Sequence, residues 1–485
     1  MSQKSSTHQS ETIKTYVNRC RDELETGVTG RYQNAFQMLR LRFDDLPHPF
    51  MRRVDLHLPG DVKLHGLLAL KGDLQTRPFV VLRLGIFGNI EEFFAESFVF
   101  RQLFEQGPFN MLVVESTTSK RYLANNPAFS LGGALEGPQN LQIARLLRDP
   151  KEPLSQLVET VHFVGMSLGG HGLFHVAALD SHQGGLPLIN SHLGLCPVVR
   201  LRDTVYDAIR PGLEGTFVDA WFSHRTPALR VRVPELRKEG WGTWWRLQPF
   251  YWRTALDYAA RSFPTAPGLT ADIKLPSETK SFWEASEPWA WFKDVKSPVL
   301  VMATRQDEIV PVDLNAQALV KELYTKKSTE DVSVVVLDRG YHCTLPVAYH
   351  WDFTSALLNS SVLASTTKSF EVKTKDLEVG QLVKPEDLGK MKTNVDVSWA
   401  EDRPFPMVKV WVQAPGGLTT EVPVEIPRSD LDFRFLNPEL SEAERTMGVA
   451  WLSRNLKTHF VEQDGRVLLR LSWSRWSAGS NSLRK

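Results

Sequence analysis

The chain has 485 residues, 42% of them hydrophobic and 23% charged, an ordinary globular composition that excludes a largely disordered protein. Its 57 basic and 56 acidic residues leave a net charge of +1, so no global pull toward nucleic acid or an anionic membrane is expected. The length exceeds what one hydrophobic core usually organises, which implies two domains or one large domain with additions.

The first residues, Met1 to Glu11, are polar and lack the basic-then-apolar pattern of a secretory signal. No apolar run approaches the ~20 residues that span a bilayer. The three cysteines, Cys20, Cys196 and Cys343, form no disulfide framework, and no two stand at metal-ligand spacing. A cytoplasmic protein with reduced thiols and no integral membrane segment is expected.

Residues 12 to 44 show helical spacing, with Ile13, Tyr16, Val17 and Cys20 on one face, and are expected to form an N-terminal helical extension over 1–48. Val54, Leu56 and Leu58 alternate, Pro59-Gly60-Asp61 breaks the run, and Val62 to Leu70 resumes it, a hairpin signature. Apolar runs then alternate with helical stretches. Phe79–Leu82 is followed by Gly85-Ile86-Phe87-Gly88 and a helix from Ile90 to Phe104. Phe109–Val114 is followed by helices at 138–147 and 152–160. Val161–Val164 leads into a helix at Gly170–Leu179, and Leu193–Val199, Val299–Ala303 and Val332–Leu337 continue the series. This rhythm implies a mostly parallel sheet with helices on both faces.

Residues ~200–290 interrupt it with Trp221, Trp241, Trp244, Trp245, Trp252, Trp283, Trp289 and, just beyond, Trp291. Most are expected to be packing aromatics, with one or two lining a pocket. After Leu363 the texture turns β-rich: Val395–Trp399, Val408–Val412, Val422–Ile426, and a hairpin joined by Asp464-Gly465 between Thr458–Gln463 and Arg466–Trp473. A helix is expected from Ser441, with Glu444 completing a capping box. The expected domains are therefore 49–364, with its insertion, and a smaller β-rich domain at 369–485 that suggests no catalysis and is open to a protein partner.

Gly165-Met166-Ser167-Leu168-Gly169 sits between a strand run and a helix run. A serine hydroxyl needs a base to become a nucleophile, and a sharp strand-to-helix turn with small neighbours exposes it to a carbonyl. In that context the acid follows a late strand and the histidine comes last. Asp307, in the loop after Val299–Ala303, is the expected acid, with Glu308 and Asp313 as weaker candidates. His342, after Val332–Leu337 and Gly340, is the expected base; of 13 histidines it alone has this order and context. His350 reads as structural, His171 and His175 on the helix after the motif as packed or exposed and not catalytic, and Cys343 as a packed thiol. The expected oxyanion donors are the Leu168 amide and an amide of the 84–88 loop, Ile86 first and Phe87 as the alternative.

Leu84-Gly85-Ile86-Phe87-Gly88, Gly165–Gly170, Pro298–Asp307 and Gly340-Tyr341-His342 together resemble the α/β-hydrolase superfamily over about residues 50–360. With Phe282-Trp283 and Asp307-Glu308 they further resemble its YheT or embryogenesis-associated (EMB8-like) carboxylesterase branch, which carries an H-G-x-x-G loop. Leu84 stands where that loop has its histidine. The resemblance implies a cofactor-independent carboxylic ester hydrolase acting on a small-molecule acyl substrate, through an acyl-enzyme on Ser167. It does not cover the C-terminal region. The alternatives are an acyltransferase using the same residues, a peptidase, and an inactive scaffold serving protein interaction.

Overall fold

Leu58 pairs with Val62 across a tight turn in which Gly60 and Asp61 take left-handed backbone conformations (φ 75° and 57°). This hairpin, β1 (Met51–Leu58) and β2 (Val62–Ala69), opens the computed structural model of the protein. The structure describes residues 16–28, 51–364, 370–378, 390–426 and 456–476 with internal gaps, the longest at 238–248, and a few isolated positions besides. The chain divides into two compact units, Met1–Thr366 and Thr367–Lys485.

The first unit is built on one eight-stranded sheet in the order β1-β2-β4-β3-β5-β6-β7-β8. The remaining strands are β3 (Arg77–Arg83), β4 (Asn110–Val114), β5 (Val158–Met166), β6 (Ser191–Leu195), β7 (Val299–Thr304) and β8 (Val332–Leu337). From β4 through β8 every pairing is parallel, while β2 runs against both its neighbours. Side chains alternate faces along a strand, yet every residue of β4, β6 and β7 is buried. Both faces of the sheet are therefore covered, as expected for parallel strands joined by helical crossovers. The edge strand β1 instead exposes Arg52, Arg53 and Asp55, charges that discourage further pairing. The fold is that of an α/β-hydrolase.

Two expectations from periodicity do not hold. Residues 152–160 are not a helix: Pro153–Leu157 is one short 3-10 turn, and β5 begins at Val158, pairing with Arg77. The β-branched Val158, Thr160 and Val161 prefer that pleated, buried setting. The N-terminal helix stops at Leu24, because Glu25 forms a β-bridge with Tyr349 and Gly27 turns the chain at φ 79°. Beyond Val28 the expected helix lies outside the described residues, except for helical Gln33.

Between β6 and β7 the chain forms helices at Leu201–Ala208, Leu213–Arg225, Pro227–Arg232, Tyr251–Arg261 and Phe282–Ala285. Trp241, Trp244, Trp245, Trp289 and Trp291 lie outside the described residues. The second unit holds two antiparallel sheets. One is β10-β11-β12 (Lys392–Ser398, Met407–Gln413, Thr419–Glu425); the other is β13-β14-β9 (Lys457–Gln463, Arg466–Trp476, Phe370–Glu378). Val397, Val408, Val410 and Val424 share one core with Leu469, Leu471 and Trp473. Gln463 pairs with Arg466, the register expected across Asp464-Gly465. Ser441 and Glu444 lie outside the described residues.

Candidate active site

Strand register sets which loops leave the sheet together. Arg83 pairs with Gly165, Met166 with Leu195, Leu195 with Met302, and Thr304 with Leu337. The 84–88 loop, Ser167, Cys196, Asp307 and the loop bearing His342 therefore all follow the carboxyl edge of one sheet. The chain order reverses around β3, with β4 on one side and β5 on the other, and ligands of open α/β sheets bind at such a switch point.

Ser167 occupies a strained left-handed conformation, φ 52° and ψ −117°, between β5 and the helix Leu168–His182. Its N–H donates to Leu195 O at 2.9 Å, and its carbonyl accepts from Gly170 N and Val198 N. The small residues of the motif each have a steric reason. A Cβ on Gly165 would run into the Gly169 carbonyl. One on Gly169 would stand 2.5 Å from Arg83 O and 2.6 Å from Leu84 O, and one on Gly170 would stand 2.5 Å from Pro197 Cβ. Gly169 thus lets the serine turn press against the start of the 84–88 loop.

Asp307 and His342 are in direct contact, with Asp307 Oδ2 2.7 Å from His342 Nδ1. The other carboxylate oxygen accepts Ile309 N at 3.0 Å and Val310 N at 2.8 Å, so the buried carboxylate is held at both oxygens. With Nδ1–H directed at Asp307, the neutral imidazole keeps its lone pair on Nε2. Glu308 and Asp313, the weaker candidates, are both exposed, in contrast to the buried Asp307. Gly340, at φ 110°, turns the chain ahead of the histidine and donates to Gln306 Oε1 at 3.2 Å. The N-terminal segment braces this loop: Arg339 pairs with Glu25 at 2.6 Å, and His350 N donates to Leu24 O. Among the described residues no hydrogen bond joins Ser167 Oγ to the imidazole; the Ser167 and His342 loops meet instead at Leu195 O, which accepts both Ser167 N–H and the Cys343 thiol.

In the 84–88 loop, Gly88 N donates to Gly85 O at 2.9 Å, closing a turn around Ile86 and Phe87. Phe87, at φ 60°, donates its N–H to Thr118 Oγ1 at 2.8 Å, so that amide is already engaged. Neither Ile86 N–H nor Leu168 N–H has a protein acceptor among the described residues. Leu84 is fully buried and donates to Val114 O. Below the loop, buried Arg83 donates to Gln139 and stands 3.5 Å from Glu136, which in turn accepts the Thr117 amide and hydroxyl. No sequence signal pointed to Thr118 or to this pair, because their partners are remote in the chain.

The Phe87 ring packs edge-on against Trp221 at 4.9 Å, Phe222 at 5.2 Å and Trp252 at 6.5 Å. Asp219 fixes Trp252 by accepting its backbone N–H at 2.8 Å. Trp252 is buried, whereas Trp221 is 43% exposed. The insertion therefore covers the 84–88 loop with aromatics.

His171 and His175 are structural. His171 accepts Gly133 N on Nδ1 and donates from Nε2 to Ser286 O, while both ring nitrogens of His175 face carbonyl oxygens. Burial holds both below the usual histidine range. Exposed His350 lies outside the cluster. Cys196 and Cys343 were not foreseen as neighbours, yet each brings its sulfur within 4.8 Å of the other and of a His342 nitrogen.

No family model matches the chain, and no curated protein does. Among solved structures it is similar to a 2,6-dihydroxy-pseudo-oxynicotine hydrolase, with 13% identity, TM-score 0.40, and coverage of 65% of this chain and 68% of that one. It is also similar to the Pyrococcus furiosus esterase Pf2001, with 13% identity, TM-score 0.37, and coverage of 66% and 93%. Est1E from Butyrivibrio proteoclasticus shows 17% identity, TM-score 0.37, and coverage of 66% and 99%. Among the described residues, no helix is long and apolar enough to cross a membrane.

Proposed function

We propose that the chain is a serine hydrolase that cleaves a carboxylic ester or thioester, within the YheT or embryogenesis-associated branch that its motifs resemble. The observation that carries this reading is the 2.7 Å contact between Asp307 and His342 on the sheet edge where Ser167 stands in a strained elbow. Ser167 Oγ attacks the acyl carbon as its proton passes to His342 Nε2. The proton then goes to the departing alcohol or thiol as the acyl C–O or C–S bond breaks. Water, deprotonated by the same nitrogen, attacks the acyl-enzyme and releases the acid. Asp307 holds the imidazole in the required tautomer and stabilises the imidazolium.

Ile86 N–H and Leu168 N–H are the proposed oxyanion donors, supported by their lack of a protein acceptor and by the engagement of the Phe87 amide. The aromatic group around Phe87 supports an apolar acyl pocket.

The test is the release of p-nitrophenol from p-nitrophenyl esters of graded chain length. A burst stoichiometric with enzyme is expected, followed by slower turnover, with a preference for one range of chain lengths. Absence of both burst and turnover across the series would set the reading aside.

A further inference from the structure

We propose that Cys196, Cys343 and His342 form a site for a thiophilic divalent cation, zinc in particular, and that the bound cation takes Nε2 of His342 out of proton transfer. The second half rests on the hydrolase reading above; the first does not.

The three ligand atoms come from two loops. Cys196 directly follows β6 at φ 44° and is anchored by its N–H to Met302 O at 2.7 Å. Cys343 follows the base at φ 52°. Cys343 Sγ lies 3.9 Å from His342 Nε2, and the sulfurs and the nitrogen all stand within 4.8 Å of one another. Ligand atoms around a tetrahedral zinc are roughly 3.5–3.8 Å apart, as bond lengths near 2.3 Å to sulfur and 2.0 Å to nitrogen require. Small side-chain adjustments therefore close the set.

The donors also match the ion. Two thiolates and an imidazole select a borderline-soft cation over magnesium or calcium, and three protein ligands leave the fourth position open. The supporting contacts already exist. The Asp307 carboxylate on His342 Nδ1 is the arrangement that orients metal-binding histidines, and the Cys343 N–H donates to Cys196 Sγ at 3.2 Å, a contact that orients a sulfur ligand. Both thiols are buried, while the imidazole retains some exposure through which an ion arrives.

On binding, two metal–sulfur bonds form and two thiol protons leave for solvent. The Nε2 lone pair is donated to the metal and the Nδ1 proton stays toward Asp307. No oxidant is needed, and a chelator reverses the change.

Full-length reduced protein titrated with cobalt(II) tests the site itself. One equivalent is expected to give the thiolate charge-transfer band and the visible spectrum of tetrahedral cobalt, both erased by zinc. Cys196→Ser and, separately, Cys343→Ala are each expected to lower metal affinity at least about tenfold, the scale lost when even an orienting contact is removed. Fluorophosphonate labelling is read in parallel. Zinc is expected to suppress the label on the wild type, a chelator to restore it, and Cys196→Ser to keep its label at the same zinc level. A protein that binds cobalt as described but takes no label without zinc supports the site and removes the hydrolase reading. Absence of the tetrahedral spectrum, inhibition unchanged in both cysteine variants, or inhibition reversed by reductant and not by chelator would overturn the metal site; the last outcome would mean a Cys196–Cys343 disulfide.

Discussion

Thr118 Oγ1 accepts the Phe87 backbone N–H at 2.8 Å, whereas the neighbouring Ile86 N–H has no protein acceptor among the described residues. The same hydroxyl lies 2.9 Å from Ser116 Oγ, so the 84–88 turn is tied to the end of β4 through two buried side chains. Thr118 is thereby a positioning residue for the proposed oxyanion donor. Thr118→Val keeps the shape, removes the acceptor and leaves a buried amide unsatisfied, at a cost of about 1–3 kcal/mol. Turnover of a p-nitrophenyl ester is expected to fall about tenfold or more in kcat with little change in KM, the pattern of a contact that acts in the transition state. An unchanged kcat would show that the turn is held by other means.

Asp307→Asn tests the orienting role proposed for Asp307. The amide oxygen is able to keep the Ile309 and Val310 amides, which turns the NH2 group toward His342 Nδ1. Nδ1 must then accept, the proton moves to Nε2, and that nitrogen can no longer act as the proposed base. A fall in kcat of about 10³–10⁴-fold is expected, with the fold preserved by near-UV circular dichroism. Activity close to wild type would move the acid to another residue.

Acid stability follows from buried neutral histidines. Burial lowers His162 and His192 to about 3, and it lowers His171 and His175 as well. In the unfolded chain each titrates near 6.5, so between pH 6.5 and about 3 the unfolded state binds more protons and stability falls as pH falls. From pH 7 to pH 5 the loss is about 2 kcal/mol for each of His162 and His192. Glu115 and Asp180, which burial raises, act in the opposite sense at lower pH. The difference between wild type and His192→Leu isolates one histidine: denaturant midpoints at pH 7 and 5 are expected to converge in the variant by that share. Equal slopes in both proteins would contradict the assignment.

Some of this was legible in the sequence because the relevant residues are neighbours. Gly165, Gly169 and Gly170 sit within the motif whose packing they serve, and the order Ser167, Asp307, His342 follows from which strands carry loops. The β5 start at Val158 was hidden by helical spacing in 152–160, where a short turn and β-branched residues mimic a helix period. Contacts remote in the chain were not legible at all. Cys196 meets Cys343, Glu25 pairs with Arg339, and Phe87 packs on Trp221 only because the sheet order folds those segments onto one edge.

Residues 1–366 form one compact unit and 367–485 another, each with its own buried core. A chain ending at Thr366 is expected to unfold in a single cooperative transition and to retain ester hydrolysis within about twofold, since independent units add with little coupling. Aggregation of that shortened chain, or loss of its cooperative transition, would show that residues 367–485 complete the main core.

The most direct measurement is covalent labelling of the folded protein with a fluorophosphonate, followed by identification of the modified residue. One label per chain is expected, on Ser167, lost in Ser167→Ala and strongly slowed in His342→Ala. No label on the folded wild type, or equal labelling of Ser167→Ala, would contradict a nucleophile at the 165–169 elbow.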